Sequence, residues 1–228
     1  MCWPLALTLI TALLTGPPAV RADGPAALSP DTTAPAVSPV RAHVGVWYAR
    51  SLAGGSVLGS IPAATLQLVG IRYRRRLLPR AEQPRDGAGT PTLTYTADLL
   101  PFAALHIPGS AIPAPYYADA SAPGPALRTS GAGGYPVGLR VEWRWAPWLR
   151  PFLDGQTGML YFRDRIPDGR GRRLHFAAAL GGGLHLRLAS TLLLTVGYRY
   201  HHLSNGFRGS INPGLDANLL YVGLGTPL

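Results

Sequence analysis

The sequence predicts an all-β fold, an eight-stranded antiparallel transmembrane β-barrel. Three observations predict it. From residue 42 onward, eight segments of roughly ten residues or more alternate apolar with polar side chains, the period of two that gives a strand two unlike faces. Aromatic residues gather at segment ends, as an interfacial girdle requires: Trp143, Trp145, Trp148, Tyr161 and Phe162. No apolar run outside the N-terminus is long enough for a spanning helix, so a membrane assignment must rest on strands. Alternation alone also fits a soluble sandwich, with apolar faces turned to a core. Segment length, an even strand count and the aromatic ends favour the barrel, in which apolar faces meet lipid and polar faces turn inward.

The chain opens with a secretory signal over residues 1–22: an apolar run from Leu5 to Leu14, then Pro17-Pro18, then small residues before a cut after Ala22, though without Lys or Arg ahead of the run. Residues 23–41 are rich in Pro, Ala and Ser and form a flexible leader. The barrel occupies 42–228, with strands near 42–51, 64–75, 91–101, 134–145, 149–161, 172–187, 190–204 and 216–226. The fourth is the clearest, opposing Val137, Leu139, Val141, Trp143 and Trp145 to Gly138, Arg140, Glu142 and Arg144. With a periplasmic N-terminus, the connections at 146–148 and 188–189 are short periplasmic turns. Those at 102–133, 162–171 and 205–215 are the longer external loops, and 76–90 is long for a periplasmic turn. The inward faces carry Arg72, Asp98, Arg140, Glu142, Arg144, Asp154, Gln156 and Arg199. Eight strands leave room inside for side chains only, so these groups pair into a plug, and transport is disfavoured. His175, His185 and His201 share that face, as interior hydrogen-bonding groups.

Composition narrows the partners. All 21 basic residues are Arg, against 11 acidic ones, for a formal charge of +10. Such a surface suits anionic partners. Nucleic acid is not the expected partner, since no recognised binding motif is present and the export signal argues against it. Phosphorylated lipid headgroups fit, because the guanidinium fork matches phosphate. The single cysteine, Cys2, lies inside the signal, which rules disulfides and thiolate chemistry out of the mature chain. No His, Cys and Asp grouping has the spacing of a metal site, and no cofactor is expected.

The candidate chemistry lies at the C-terminal hairpin. Along 192–204 the apolar face runs through Val196, Tyr198 and Tyr200 into His202 and Ser204, and after the loop Asp216 and Asn218 open the matching face of the last strand. His202 and Ser204, two residues apart, have Cα atoms about 7 Å apart in an extended strand, within side-chain reach. A serine needs a base to take its proton, and the base needs a third group to hold its tautomer. Ser204, His202 and Asp216 supply one of each, with Asn205, Gly206 and Asn212 as donors to an oxyanion. Taken singly, each is more often a turn or interfacial residue, and Asn212-Pro213-Gly214 is ordinary turn chemistry.

The run His202-x-Ser204-Asn205, then Asn212-Pro213-Gly214, then a carboxylate at Asp216 resembles the lipid A 3-O-deacylase family of outer-membrane barrels over residues 196–224. The resemblance implies a serine esterase that removes a 3-hydroxyacyl chain from lipid A, with lipopolysaccharide as substrate, in the outer membrane of a Gram-negative bacterium. It implies Ser204 as nucleophile, His202 as base and Asp216 as third member, with an oxyanion hole at Asn212 and the backbone after Ser204. The family has Glu at the place of Asp216, and its Ser-Asn-Ala is here Ser204-Asn205-Gly206. Arg163, Arg165, Arg170 and Arg172, in or beside an external loop, are the candidates for lipid A phosphates, with solvated loop charge as the alternative. A non-catalytic surface barrel and a soluble lipid-binding calyx are the competing functions, and a homodimer stays open.

Overall fold

The computed structural model describes residues 42–52, 57–61, 64–77, 91–109 and 126–228. The expected signal, the leader and most of the 76–90 connection lie outside the described residues. Eight strands follow in order: β1 Ala42–Leu52, β2 Thr65–Arg76, β3 Pro91–Ile107, β4 Leu127–Trp143, β5 Leu149–Ile166, β6 Arg172–Arg187, β7 Leu193–Ser204 and β8 Leu215–Pro227. Each pairs antiparallel with the next, and β1 pairs with β8 from His43↔Pro227 to Leu52↔Asn218, so the sheet closes into a barrel. Closure removes the unpaired edges that an open sheet would present in a bilayer.

β3, β4 and β5 run well beyond the spans expected from alternation. Two signals hid the extra length. Pro101 reads as a strand breaker, yet it sits where the β3–β4 register shifts between Leu100 and Ala103, a bulge that tolerates the missing N–H. The start of β4, with Gly131, Gly133 and Gly134, has too few side chains to show a period.

The outer wall is apolar: Val46, Leu99, Val137, Leu139, Leu180 and Val222 are all exposed there. The inside has two halves. Toward the rim where Ala42 and Leu228 meet, the terminal rim, the interior is ionic. Arg72 bonds Asp98 at 2.6 Å, Arg140 and Arg199 reach Asp154 at 2.5 and 3.1 Å, and Arg74 reaches Glu142 at 3.2 Å. Gln156 joins Arg72 to Thr96, and the guanidinium of Arg140 lies 3.9 Å from the centre of the Phe152 ring. His185 bonds Thr195 at 2.8 Å, and His201 bonds Tyr135. Toward the opposite rim the interior is apolar, filled by Leu66, Leu68, Leu100, Leu160, Leu203 and Leu219. Polar faces were expected to turn inward; the ion pairs are confined to one half.

Two placements differ from expectation. Arg144 lies past the end of β4 in the turn and is exposed, because the strand stops at Trp143 and the inward alternation stops with it. Phe162 is buried inside the barrel rather than in the girdle, since it follows the outward Tyr161 by one residue. Trp145 and Trp148 are exposed at the terminal rim, as a girdle requires.

Candidate active site

On β7, Arg199, His201 and Leu203 point inward, so His202 and Ser204 stand on the lipid-facing wall at the end of the strand. Register then sets their neighbours. His202 lies directly across from Asp216 of β8, and Ser204 across from Phe176 of β6. The His202 Nδ1 and Asp216 Oδ1 atoms are 2.7 Å apart. A carboxylate on Nδ1 fixes the imidazole with its Nε2 free to act as a base. The shorter side chain of Asp216 therefore reaches.

Asp216 is only 1% exposed, although its strand position faces outward. The residues after β1 explain this. The backbone N–H groups of Val57, Leu58 and Gly59 donate to Asp216 Oδ2 at 2.7, 2.8 and 2.8 Å, and Leu58 N also lies 3.1 Å from the Tyr200 hydroxyl. Ser60 N donates to Pro213 O at 2.7 Å, and Ile61 bridges Leu215, which pins the segment over the carboxylate. Three convergent amides form a backbone nest for the anion. Glycine is required in it: a Cβ on Gly59 would lie 2.8 Å from the Gly214 carbonyl carbon and 3.0 Å from Asp216 Oδ1.

Ser204 belongs to a second cluster. Its Oγ accepts from Asn212 Nδ2 at 2.9 Å and from Gly206 N at 3.1 Å, while Asn205 N donates to Asn212 Oδ1 at 2.9 Å. Gly206 takes φ 63°, a left-handed turn that places its N–H back on Ser204. Asn205 is turned the other way: its side chain is buried and donates to Ile211 O at 2.7 Å, bracing the loop. No hydrogen bond joins Ser204 to His202 among the described residues. The two clusters share one groove of about 380 Å³ on the outer wall, lined by Val137, Met159, Phe176 and Ala178 and ending at His202 and Ser204.

The four candidate headgroup arginines separate. Arg170 pairs with Asp168 at 2.8 Å, Arg172 donates to the Arg208 carbonyl, and Arg165 donates to Gly169 O at 3.0 Å. With Ser210 N on Arg170 O at 3.0 Å, these contacts dock the β5–β6 turn against the 205–214 loop. Arg163 lines a different groove altogether, with Arg128.

The sequence profile described as Lipid A 3-O-deacylase (PagL) matches residues 110–225, more than half of the chain. The chain belongs to the lipid A 3-O-deacylase (PagL) family. Among solved structures it is similar to the outer membrane enzyme PagL, at 16% identity and TM-score 0.47, covering 81% of this chain and 99% of that one. It is also similar to Neisserial surface protein A, at 11% identity and TM-score 0.42, covering 82% and 96%. A third is Ail, the attachment invasion locus protein of Yersinia pestis, at 11% identity and TM-score 0.36, covering 82% and 97%. No curated protein matches the chain.

Three features of this lipid A 3-O-deacylase family chain escaped the sequence reading. The 57–61 segment carried no polar motif, because it acts through backbone amides. Tyr200 was read as part of an apolar face, yet its hydroxyl meets the nest. Arg208 clamps the loop, with Nε on Asn205 O at 3.1 Å and its guanidinium 4.6 Å from the centre of the Phe176 ring. Its place inside a turn next to Ser204 was the available signal.

Proposed function

We propose that this chain is a serine esterase of the outer membrane that removes the 3-O-linked 3-hydroxyacyl chain of lipid A. The observation that carries the proposal is the 2.7 Å His202–Asp216 pair on the lipid-facing wall, two residues from Ser204, in a chain of this family. A substrate embedded in the leaflet reaches a site on the outside of a barrel without leaving the membrane.

In the reaction, Ser204 Oγ attacks the ester carbonyl while His202 Nε2 takes its proton. His202 then returns the proton to the departing sugar oxygen, and an acyl-Ser204 ester forms. Water repeats the sequence and releases the 3-hydroxy fatty acid. Asp216 stabilises the imidazolium of each step. Attack requires Ser204 to turn from its present partners toward His202. The same turn frees Gly206 N–H and Asn212 Nδ2, two donors of the kind that stabilise an oxyanion. The resting hydroxyl thus occupies the site that the oxyanion takes. The apolar groove past Phe176 and Ala178 receives the acyl chain.

One observation favours a non-catalytic barrel: Ser204 is bonded to Asn212 and Gly206 rather than to His202. Mass spectrometry of lipid A incubated with the detergent-purified protein separates the two readings. Loss of one 3-hydroxyacyl chain with the wild type and not with Ser204→Ala supports the esterase. Unchanged lipid A, with no labelling of Ser204 by a fluorophosphonate in a folded barrel, supports the rival.

A further inference from the structure

On the wall formed by β2 to β5, the rim half carries a polar notch that the reaction does not use. Register puts His106 of β3 between Thr65 of β2 and Arg128 of β4, and places Ala104 between Gln67 and Ser130 one step toward the membrane. Arg163 of β5 flanks the same groove, which holds about 420 Å³. The small Ala104 forms its floor. One carboxylate, Asp164, lies at its lip, where its backbone N–H is bonded to Thr129.

Arg165, Arg170, Arg172 and Arg208 are each spent on a carbonyl or carboxylate, whereas Arg128 and Arg163, like Arg50 and Arg173, have neither an ion pair nor a side-chain hydrogen bond among the described residues; Arg128 and Arg163 are the two that line the notch together. Immediately below the notch the wall becomes apolar, with Val69, Phe102 and Tyr161 at 37%, 45% and 54% exposure. Two guanidinium groups lining one groove above an apolar strip match an amphipathic anion: phosphate at the arginines, acyl chains along the strip.

We infer that the β2–β5 wall holds a second, non-catalytic lipid site, in which Arg128 and Arg163 bind the phosphomonoester headgroup of a lipid in the same leaflet. The site is separate from the Ser204 groove and shares no lining residue with it. It retains a phosphorylated lipid at the barrel without presenting it for cleavage.

The test uses the full chain as Ser204→Ala, reconstituted in detergent, with lipid A that carries a photoactivatable group in its acyl chains. Cross-links are mapped by peptide mass. Bis-phosphorylated lipid A is expected to label Val69, Phe102 and Tyr161. That labelling falls at least about tenfold in Arg128→Ala/Arg163→Ala, from the loss of charge-assisted bonds. Dephosphorylated lipid A labels the strip as weakly as the double variant does, and Arg128→Lys/Arg163→Lys restores part of the signal. Equal labelling by both lipids, or unchanged labelling in a double variant that keeps its heat-modifiable migration, overturns the site. Full competition by millimolar inorganic phosphate also overturns it, because the notch would then take a soluble anion. None of these outcomes depends on turnover, so an inactive Ser204 leaves the result readable.

Discussion

Asp216 divides its two oxygens between two tasks, one on His202 and one on three backbone amides. An amide in its place cannot accept at both positions, because one of them becomes a donor facing donors. Asp216→Asn is therefore expected to lower the rate of lipid A deacylation by about 10³–10⁴, the scale seen when a triad histidine loses its carboxylate, as measured by release of 3-hydroxy fatty acid. Asn212 has a different role, so its loss should read differently. On the proposed mechanism Asn212→Ala removes one oxyanion donor and is expected to lower kcat by about 10²–10³ with little change in KM. A fall in KM affinity alone would place Asn212 on the ground-state substrate instead. Both residues were visible in the sequence, Asp216 as a polar residue at the end of an apolar strand face and Asn212 as an amide in the loop beside Ser204. The partner of Ser204 was not, because the turn of one side chain decides it and strand alternation is silent on rotamers.

At the scale of elements, the segment between β1 and β2 completes the site from across the barrel closure. Gly59 makes its third amide available by packing against Gly214 and Asp216 without a Cβ. Gly59→Val is expected to lift the segment off the carboxylate. Each charge-assisted bond lost is worth about 1.5–3 kcal/mol, so turnover falls tenfold or more while heat-modifiable migration persists. Hydrogen exchange at Val57, Leu58 and Gly59 should accelerate in the same variant; unchanged exchange would mean that the nest tolerates the side chain. The eight strands and their inward and outward faces were legible because alternation in Val137–Trp143 or Leu193–Ser204 is itself the consequence of lipid on one side and packed side chains on the other. Strand ends at the glycine-rich start of β4 and the bulged Pro101 were not, since neither displays a face. The nest was hidden for a further reason: three backbone N–H groups carry no side-chain signature beyond the single Gly59, which a sequence does not tell apart from an ordinary loop glycine.

Across the whole molecule, the ionic half lies toward the terminal rim, whereas the site stands outside the other half, whose interior is the apolar packing around Leu66, Leu100 and Leu160. Stability and chemistry should then be separable by mutation. Asp154 is the hub of the ionic half, bonded to Arg140 at 2.5 Å and Arg199 at 3.1 Å, both guanidinium groups being enclosed. Removing its charge leaves three buried cations, Arg140, Arg199 and Arg72 at 3.7 Å, with less than their complement of anions, a loss of the kind that costs about 3–5 kcal/mol. The rings of Phe152, Trp47 and Tyr221 near those cations offset part of it but supply no full charge. Asp154→Asn is thus expected to lower the temperature at which the folded band is lost on a semi-native gel. Deacylation measured well below that temperature should stay within a few-fold of wild type. A variant that kept its thermal midpoint would show that Asp98 and the aromatic rings suffice for the arginines. One that lost activity in step with stability would show that the two halves of the barrel act as one unit, and that the ionic half also sets the register through which His202 meets Asp216.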